Sequence, residues 1–80
     1  MKILNFYTST HPSCEALNKV LEKVNVEVED INALEDIANV DKYNVCAVPT
    51  LVFLNSEGEE VARTIGILTL RKIRKIIKDR

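Results

Sequence analysis

What the sequence lacks already excludes several classes of protein. Two cysteines among 80 residues are too few for a secreted scaffold stapled by disulfides. No apolar run approaches the roughly 18 residues needed to span a membrane. The formal net charge of −1 implies no bulk attraction to nucleic acid. We therefore expect neither a membrane partner nor a nucleic-acid partner.

The length and composition are those of one small folded domain, which we assign to residues 1–80. A hydrophobic fraction of 46% is ordinary for a folded protein, and no repeat, linker or low-complexity stretch interrupts the chain. The first residues turn polar at Lys2 and Asn5, unlike a secretory signal. We expect a cytoplasmic monomer without a cofactor, whose cysteines are reduced.

Charge is unevenly distributed along the chain. Residues 15–41 are rich in acids, whereas residues 69–80 are rich in lysine and arginine. A basic last helix could contact RNA, an anionic lipid or an acidic partner. Cations also suit a helix C-terminus, and no aromatic or glycine pattern of a nucleic-acid module accompanies them. The favoured interpretation is therefore a solvated outer face.

Hydrophobic periodicity in the first half predicts two strands separated by a helix. Residues 2–7 form a short apolar run typical of a buried strand. Pro12 suits the first turn of a helix, where its missing N–H is harmless. A helix from about residue 12 to 24 is indicated by apolar residues at helical spacing: Ala16, Leu17, Val20, Leu21 and Val24. Residues 26–29 alternate and predict a second strand, whose buried face Ile31 extends.

A second helix is predicted after this strand. Asn32 is a candidate for its N-cap. Its apolar stripe would be formed by Leu34, Ile37, Ala38 and Tyr43.

The rest of the chain predicts a hairpin and a last helix. Residues 50–54 are typical of a fully buried strand, and a polar turn joins them to an alternating strand at 60–65. Gly66 breaks that strand, and Thr69 caps the last helix. The inward side of that helix would be formed by Leu70, Ile73, Ile76 and Ile77.

The element order is therefore β-α-β-α-β-β-α, which predicts an α/β fold. The first two strands are joined by a helix and should be parallel, with a right-handed crossover. The polar turn before residue 60 makes the last two strands antiparallel. A mixed four-stranded sheet flanked by helices on both faces follows.

Several landmarks occur in order on these elements. They are His11-Pro12-Ser13-Cys14 after the first strand, Tyr43-Asn44-Val45, Val48-Pro49-Thr50, and Gly66-Ile67-Leu68-Thr69 before the last helix. With these landmarks, the chain resembles the thioredoxin/glutaredoxin superfamily over essentially its whole length. The resemblance implies a thioredoxin-like fold, disulfide oxidoreductase chemistry in cell redox homeostasis, and a cis-proline at Pro49.

The chain departs from that family at its reactive site. In the family motif Cys-x-x-Cys, the first and nucleophilic cysteine is replaced here by His11, and only Cys14 remains. The buried acid of the family's first strand falls at Asn5, and an amide cannot accept a proton at neutral pH. One sulfur cannot form a disulfide within the motif. The resemblance therefore implies dithiol activity that is weak or absent.

Cys14 and His11 are the candidate catalytic residues. Cys14 would lie one turn into the first helix, where the positive end of the helix dipole favours a thiolate. His11, three residues earlier, is within reach as a cation or as a base. The alternative is that Cys14 is a buried, inert remnant and His11 an exposed loop residue.

Cys46 is a candidate accessory thiol, because it lies three residues before Pro49 and that loop is beside the motif in the resembled family. It could pair with Cys14 or remain a surface thiol. A disulfide between them would need Cα atoms within roughly 7 Å. With His11, the two cysteines offer only three soft ligands, from loops not spaced for a metal, so no metal site is predicted.

Pro49 points to a binding surface. A proline at the start of a central strand is normally out of place, and a cis bond after Val48 explains it. In the resembled family, the backbone before this proline pairs with an extended substrate. The substrate-binding surface here would be formed by Pro12, Val48, Pro49, Gly66 and Ile67.

Two functions remain open. The chain could be a thioredoxin-like protein that binds extended, cysteine-containing polypeptides at this surface and at most performs monothiol exchange through Cys14. The alternative is a non-enzymatic protein-interaction module that keeps the fold without redox activity. The two differ in whether the thiol reacts at all.

Overall fold

The computed structural model describes residues 1–79. The elements in chain order are β1 (Lys2–Tyr7), α1 (Pro12–Leu21), β2 (Glu27–Asn32), α2 (Ile37–Lys42), β3 (Thr50–Leu54), β4 (Glu60–Ile65) and α3 (Leu70–Lys78). This order confirms the predicted β-α-β-α-β-β-α fold. Within residues 1–79, no helix combines the length and the apolar character needed to cross a membrane.

The strands form one mixed sheet in the order β2-β1-β3-β4. β1 and β2 are parallel, with Tyr7 opposite Asn32. β3 runs antiparallel to both β1 and β4, so that Thr50 lies between Phe6 and Ile65. Every residue of β3 is buried, because this strand is central and is covered on both faces.

Alternation along the strands divides the core into two clusters, because successive side chains point to opposite faces of a sheet. The cluster under α1 and α3 contains Ile3, Leu17, Leu21, Leu51, Phe53 and Ile73. The cluster under α2 contains Leu4, Phe6, Ile31, Val52 and Leu54. Helices therefore cover both faces, as predicted. Ile31 does not extend the buried face of Val28, since Val28 packs against the first cluster and Ile31 belongs to the second.

The first helix is shorter than the sequence predicts. α1 ends at Leu21, and Val24 packs against the core from the turn that follows. Ala16 was expected to face inward, but it is exposed. The buried stripe of α1 consists of Cys14, Leu17 and Leu21, one residue per turn, and Ala16 lies to the side of it.

The second helix begins later than predicted. Asn32 ends β2 opposite Tyr7, and its side chain accepts a hydrogen bond from the Leu34 N–H at 3.0 Å in the turn that follows. The N-cap is instead Asp36, which accepts from the backbone and side-chain N–H groups of Asn39 at 3.1 and 2.8 Å. The side-chain hydrogen bond, followed by the backbone one, holds the pKa of Asp36 below its ordinary value. Strand pairing with β1 keeps Asn32 in the sheet, and this prevents it from starting a helix.

The predicted apolar stripe of α2 is wrong for the same reason. Leu34 and Ile37 are 70% and 63% exposed, and Ala38 is also exposed. Because the helix starts at Ile37 and not near Leu34, the side chains that reach the sheet are those of Val40 and Tyr43. Tyr43, the last member of the predicted stripe, therefore does pack inward.

The last helix starts where the sequence predicts. Thr69 is its N-cap, and its Oγ1 accepts a hydrogen bond from the Lys72 N–H at 3.2 Å. Ile73 is fully buried against the sheet. Arg80, the last cation of the basic segment, lies outside the described residues.

We expect Thr69→Ala to lower the free energy of unfolding by about 1 kcal/mol, because the Lys72 N–H loses its acceptor. Urea unfolding provides the measurement. Thr69→Ser keeps the Oγ and should stay close to the wild type. Equal losses in the two variants would mean that the methyl group of Thr69, and not the cap, stabilises this end of α3.

Candidate functional site

The loop after β1 places His11 at the start of α1. His11 is the N-cap, with an extended backbone (φ −102°, ψ 117°), because the residue before Pro12 is disfavoured in a helical conformation. Its Nδ1 accepts a hydrogen bond from the Ser13 N–H at 3.3 Å, and its carbonyl accepts one from the Cys14 N–H at 3.0 Å. His11 Nδ1 thus serves as the side-chain acceptor that caps the start of α1.

Cys14 is nearly enclosed, with 1% of its surface exposed. It lies on the buried stripe of α1, one turn after His11. Within residues 1–79, no hydrogen bond joins the Cys14 thiol to the His11 imidazole, and the two residues are linked through the backbone only. The geometry therefore keeps the thiol out of solvent and leaves the imidazole exposed.

The segment before β3 forms the second part of the site. The Val48–Pro49 peptide bond is cis, and Pro49 is buried. The Pro49 carbonyl accepts from the Gly66 N–H at 2.9 Å, which ties this segment to the end of β4. Thr50 Oγ1 donates to the Ala47 carbonyl at 2.6 Å and closes the turn. These bonds fix the position of Val48 at the surface.

The surface around Val48 is aliphatic and has free backbone groups. Within residues 1–79, neither the N–H nor the carbonyl of Val48 takes part in a backbone hydrogen bond. Ile65 and Ile67, on either side of Gly66, are 65% and 58% exposed. Gly66 has a φ of +91°, which a residue with a Cβ rarely adopts, and the space at its Cα is open. An extended polypeptide could cover this surface and pair with Val48.

Cys46 is exposed and its thiol is free. The thiol donates to the Asn44 carbonyl at 3.6 Å. The same carbonyl accepts from the Arg63 guanidinium at 3.4 Å. The side-chain hydrogen bond to Glu60 is the main cause that raises the pKa of Arg63 above its ordinary value. The nearby Cys46 raises this pKa by the smallest amount. Cys46 thus lies at the surface close to a fixed cation.

A shallow groove of about 230 Å³ runs beside Cys46. It is lined by Thr8, Ala33, Leu34, Val40, Val45, Cys46, Ala47 and Val48. Thr8 belongs to the loop that leads to His11, so the groove shows that this loop and the segment 46–48 are neighbours. The groove extends the apolar surface around Val48 towards α2.

Asn5 lies in β1 under α1 and is fully buried. Its Nδ2 donates to Asn18 Oδ1 at 2.7 Å and to Asp30 Oδ1 at 3.0 Å. A carboxylate at position 5 could donate neither bond and would repel Asp30, so the amide suits these neighbours. Asn5 Oδ1 has no partner within residues 1–79. Asn18 and Asp30 carry no sequence signal that would reveal them as partners of Asn5.

Among the predicted site residues, the structure joins two pairs by backbone hydrogen bonds. Hydrogen bonds join Gly66 to Pro49 and the backbone of His11 to Cys14. In residues 1–79, no three side chains of His, Cys, Asp or Glu converge as a metal-binding group. The sequence analysis did not single out Ile65, nor Leu34 as a groove residue, because an exposed aliphatic residue looks like a core residue in the sequence.

Comparison with known proteins identifies a matching family and a relative of known sequence. A family model described as "Thioredoxin-like domain" matches residues 1–80. The SPbeta prophage-derived thioredoxin-like protein YosR of Bacillus subtilis is 26% identical over 66 residues, which are 82% of this chain and 82% of the relative.

Solved structures with a similar fold include two thioredoxins. A mutant thioredoxin from Halobacterium salinarum has a TM-score of 0.87 and 28% identity, over 98% of this chain and 72% of that one. The Fasciola hepatica thioredoxin has a TM-score of 0.87 and 25% identity, over 98% of this chain and 78% of that one.

Proposed function

Because this chain belongs to the thioredoxin-like domain family, we propose that it is a polypeptide-binding relative of the thiol–disulfide oxidoreductases that lacks their dithiol site. One observation carries the proposal. The start of α1 has a single sulfur, which is buried, while within residues 1–79 the Val48 N–H and carbonyl make no backbone hydrogen bond and Ile65 and Ile67 are exposed. Thiol chemistry is thus weakened at the start of α1, while the surface around Val48 remains available for binding.

The remaining redox step would be monothiol exchange. The Cys14 thiolate would attack one sulfur of a partner's disulfide, form a mixed disulfide and release the other sulfur as a thiolate. Release of Cys14 would then need a small-molecule thiol, because no second cysteine stands in the motif. Burial of Cys14 makes this exchange slow until the start of α1 opens.

Binding would use the groups that the structure leaves free. An extended segment could pair with the backbone of Val48, in the manner of a strand added to a sheet edge. Ile65 and Ile67 would contact its side chains, and Gly66 would allow the close approach of its backbone. Pro12, exposed at the start of α1, would border the same surface.

The second candidate function is a redox-silent interaction module. It is favoured by the engagement of His11, whose Nδ1 caps α1 and makes no bond to the thiol. Cys46 would then be a surface thiol without a redox partner. Both candidates use the same binding surface and differ only in thiol chemistry.

We expect Ile67→Glu to weaken the binding of a polypeptide roughly fivefold or more, because a partly exposed aliphatic contact is replaced by a charge. The probe is fluorescein-labelled insulin B chain with its cysteines carboxamidomethylated, followed by fluorescence anisotropy. This probe measures binding without thiol chemistry.

Ile37→Glu is the matched control, since Ile37 is 63% exposed and outside the groove beside Cys46. It should bind the probe like the wild type. Equal affinities of all three proteins, or equal losses in both variants, would contradict a binding surface around Val48 and Pro49.

A further inference from the structure

The outer face of α3 is basic throughout. Five of its nine residues are Lys or Arg and none is acidic. All five are exposed, namely Arg71, Lys72, Arg74, Lys75 and Lys78. The other side of the helix packs on the sheet through Ile73 and its half-buried neighbours Ile76 and Ile77. No acid on the helix interrupts the exposed arc.

These cations have no partners among residues 1–79. The salt bridges in this part of the chain join Lys2 to Glu27 and Glu29, and Arg63 to Glu60. The protein thus pairs cations elsewhere, but no carboxylate of residues 1–79 forms a salt bridge with the cations of α3. The positive charge of this face is left to solvent or to another molecule.

The arrangement destabilises the helix that carries it. Residues three or four apart on a helix are neighbours, so Arg71 lies beside Arg74 and Lys75, and Lys78 beside the same two. The helix dipole favours cations in the last turn, where Lys75 and Lys78 lie. It disfavours them in the first turn, where Arg71 and Lys72 lie. The helix dipole therefore explains the cations of the last turn but not those of the first turn.

A groove of about 400 Å³ connects this face to α1. It is lined by Lys19, Val20, Glu22, Lys23 and Leu70. Val20 and Leu70 give it an aliphatic lining. Two lysines, Lys19 and Lys23, outnumber the one carboxylate, Glu22, so the positive charge of the first turn of α3 continues onto α1. Such a groove suits an aliphatic side chain that is flanked by carboxylates.

We propose that the outer face of α3, together with Lys19 and Lys23, is a docking surface for an acidic polypeptide segment that carries an aliphatic residue. No aromatic side chain lies among these residues to stack on the bases of a nucleic acid. The apolar side of α3 is buried and cannot insert into a bilayer. The surface shares no residue with the one around Val48 and Pro49, so it adds further contacts to the proposed function.

The test uses a fluorescein-labelled twelve-residue peptide of glutamates with two leucines, followed by anisotropy at low ionic strength. The wild type should bind it, and added salt should weaken the binding. Arg71→Glu should weaken it about fivefold or more, because it reverses a charge in the first turn of α3, next to the groove residue Leu70. Glutamate suits the first turn of a helix, so this variant should keep its thermal stability, which circular dichroism checks.

Lys42→Glu is the matched control, because it makes the same change of net charge on an exposed lysine of α2. It should bind like the wild type. Equal losses of peptide affinity in Arg71→Glu and Lys42→Glu would show that net charge alone controls the binding, and would overturn the proposal. Undiminished binding of a peptide with glutamine for glutamate would overturn it too. Binding of oligo(dT) or of anionic lipid vesicles that is tighter than binding of the acidic peptide would also overturn it. The same holds for self-association that is tighter than peptide binding and that Arg71→Glu abolishes.

Discussion

In the native protein at neutral pH, Cys46 is expected to react with iodoacetamide roughly a hundredfold faster than Cys14. Cys46 is exposed, whereas Cys14 is 1% exposed and can react only when the start of α1 opens. A hundredfold ratio corresponds to about 2.8 kcal/mol for that opening. Labelling against time and pH, read by mass spectrometry for each cysteine, provides the measurement.

Two controls separate burial from the influence of His11. In concentrated urea the thiols should react at similar rates, because both are then in solvent. His11→Ala is expected to change the rate of Cys14 only several-fold, because the imidazole is not bonded to the thiol. If Cys14 reacted first in the native protein, and slowed strongly in His11→Ala, the two residues would form a working monothiol site.

The wild-type protein is expected to reduce insulin disulfides at a rate near background with dithiothreitol as donor, and His11→Cys is expected to raise that rate at least about tenfold. Complete reduction needs two thiols, which become one disulfide as the insulin disulfide becomes two thiols. The wild-type motif has one sulfur, so each mixed disulfide needs dithiothreitol to release Cys14, and burial of Cys14 makes the mixed disulfide slow to form. Insulin turbidity against time measures the rate.

The geometry at the start of α1 supports the gain in His11→Cys. Position 11 is exposed, and its carbonyl already accepts from the Cys14 N–H at 3.0 Å. Residues three apart on one helical turn lie within the Cα separation of roughly 7 Å that a disulfide accepts. The buried Cys14 would then be reached from within the molecule. Asn5 limits the gain, because an amide cannot take the proton that Cys14 must lose.

His11→Ser is the matched control, since it replaces the imidazole by a small N-cap side chain without adding a sulfur. It should remain near background. Cys46→Ser should leave the rate of His11→Cys unchanged. Clear wild-type turnover that Cys46→Ser abolishes would contradict this account and would assign dithiol chemistry to Cys14 and Cys46.

The sequence by itself determined the element order and most of the sheet. The apolar run at residues 50–54, the alternation at 60–65 and the turn between them carry local signals, and the structure has both strands at these bounds. Thr69 was likewise predictable as a cap, since a capping side chain acts on backbone only three residues away. That position 11 holds a histidine, and that Cys14 is the only sulfur in residues 11–14, is also a property of the sequence alone.

Tertiary structure decided where α2 begins and which thiol meets solvent. Asn32 and Asp36 are equally good N-caps by residue type, and pairing of β2 with β1 through Tyr7 keeps Asn32 in the sheet. Cys14 and Cys46 both have apolar residues within three positions in the sequence, yet Cys14 lies on the helix face that packs inward and Cys46 in a loop. Burial depends on what the rest of the chain places over a side chain, and neighbours in sequence do not specify that.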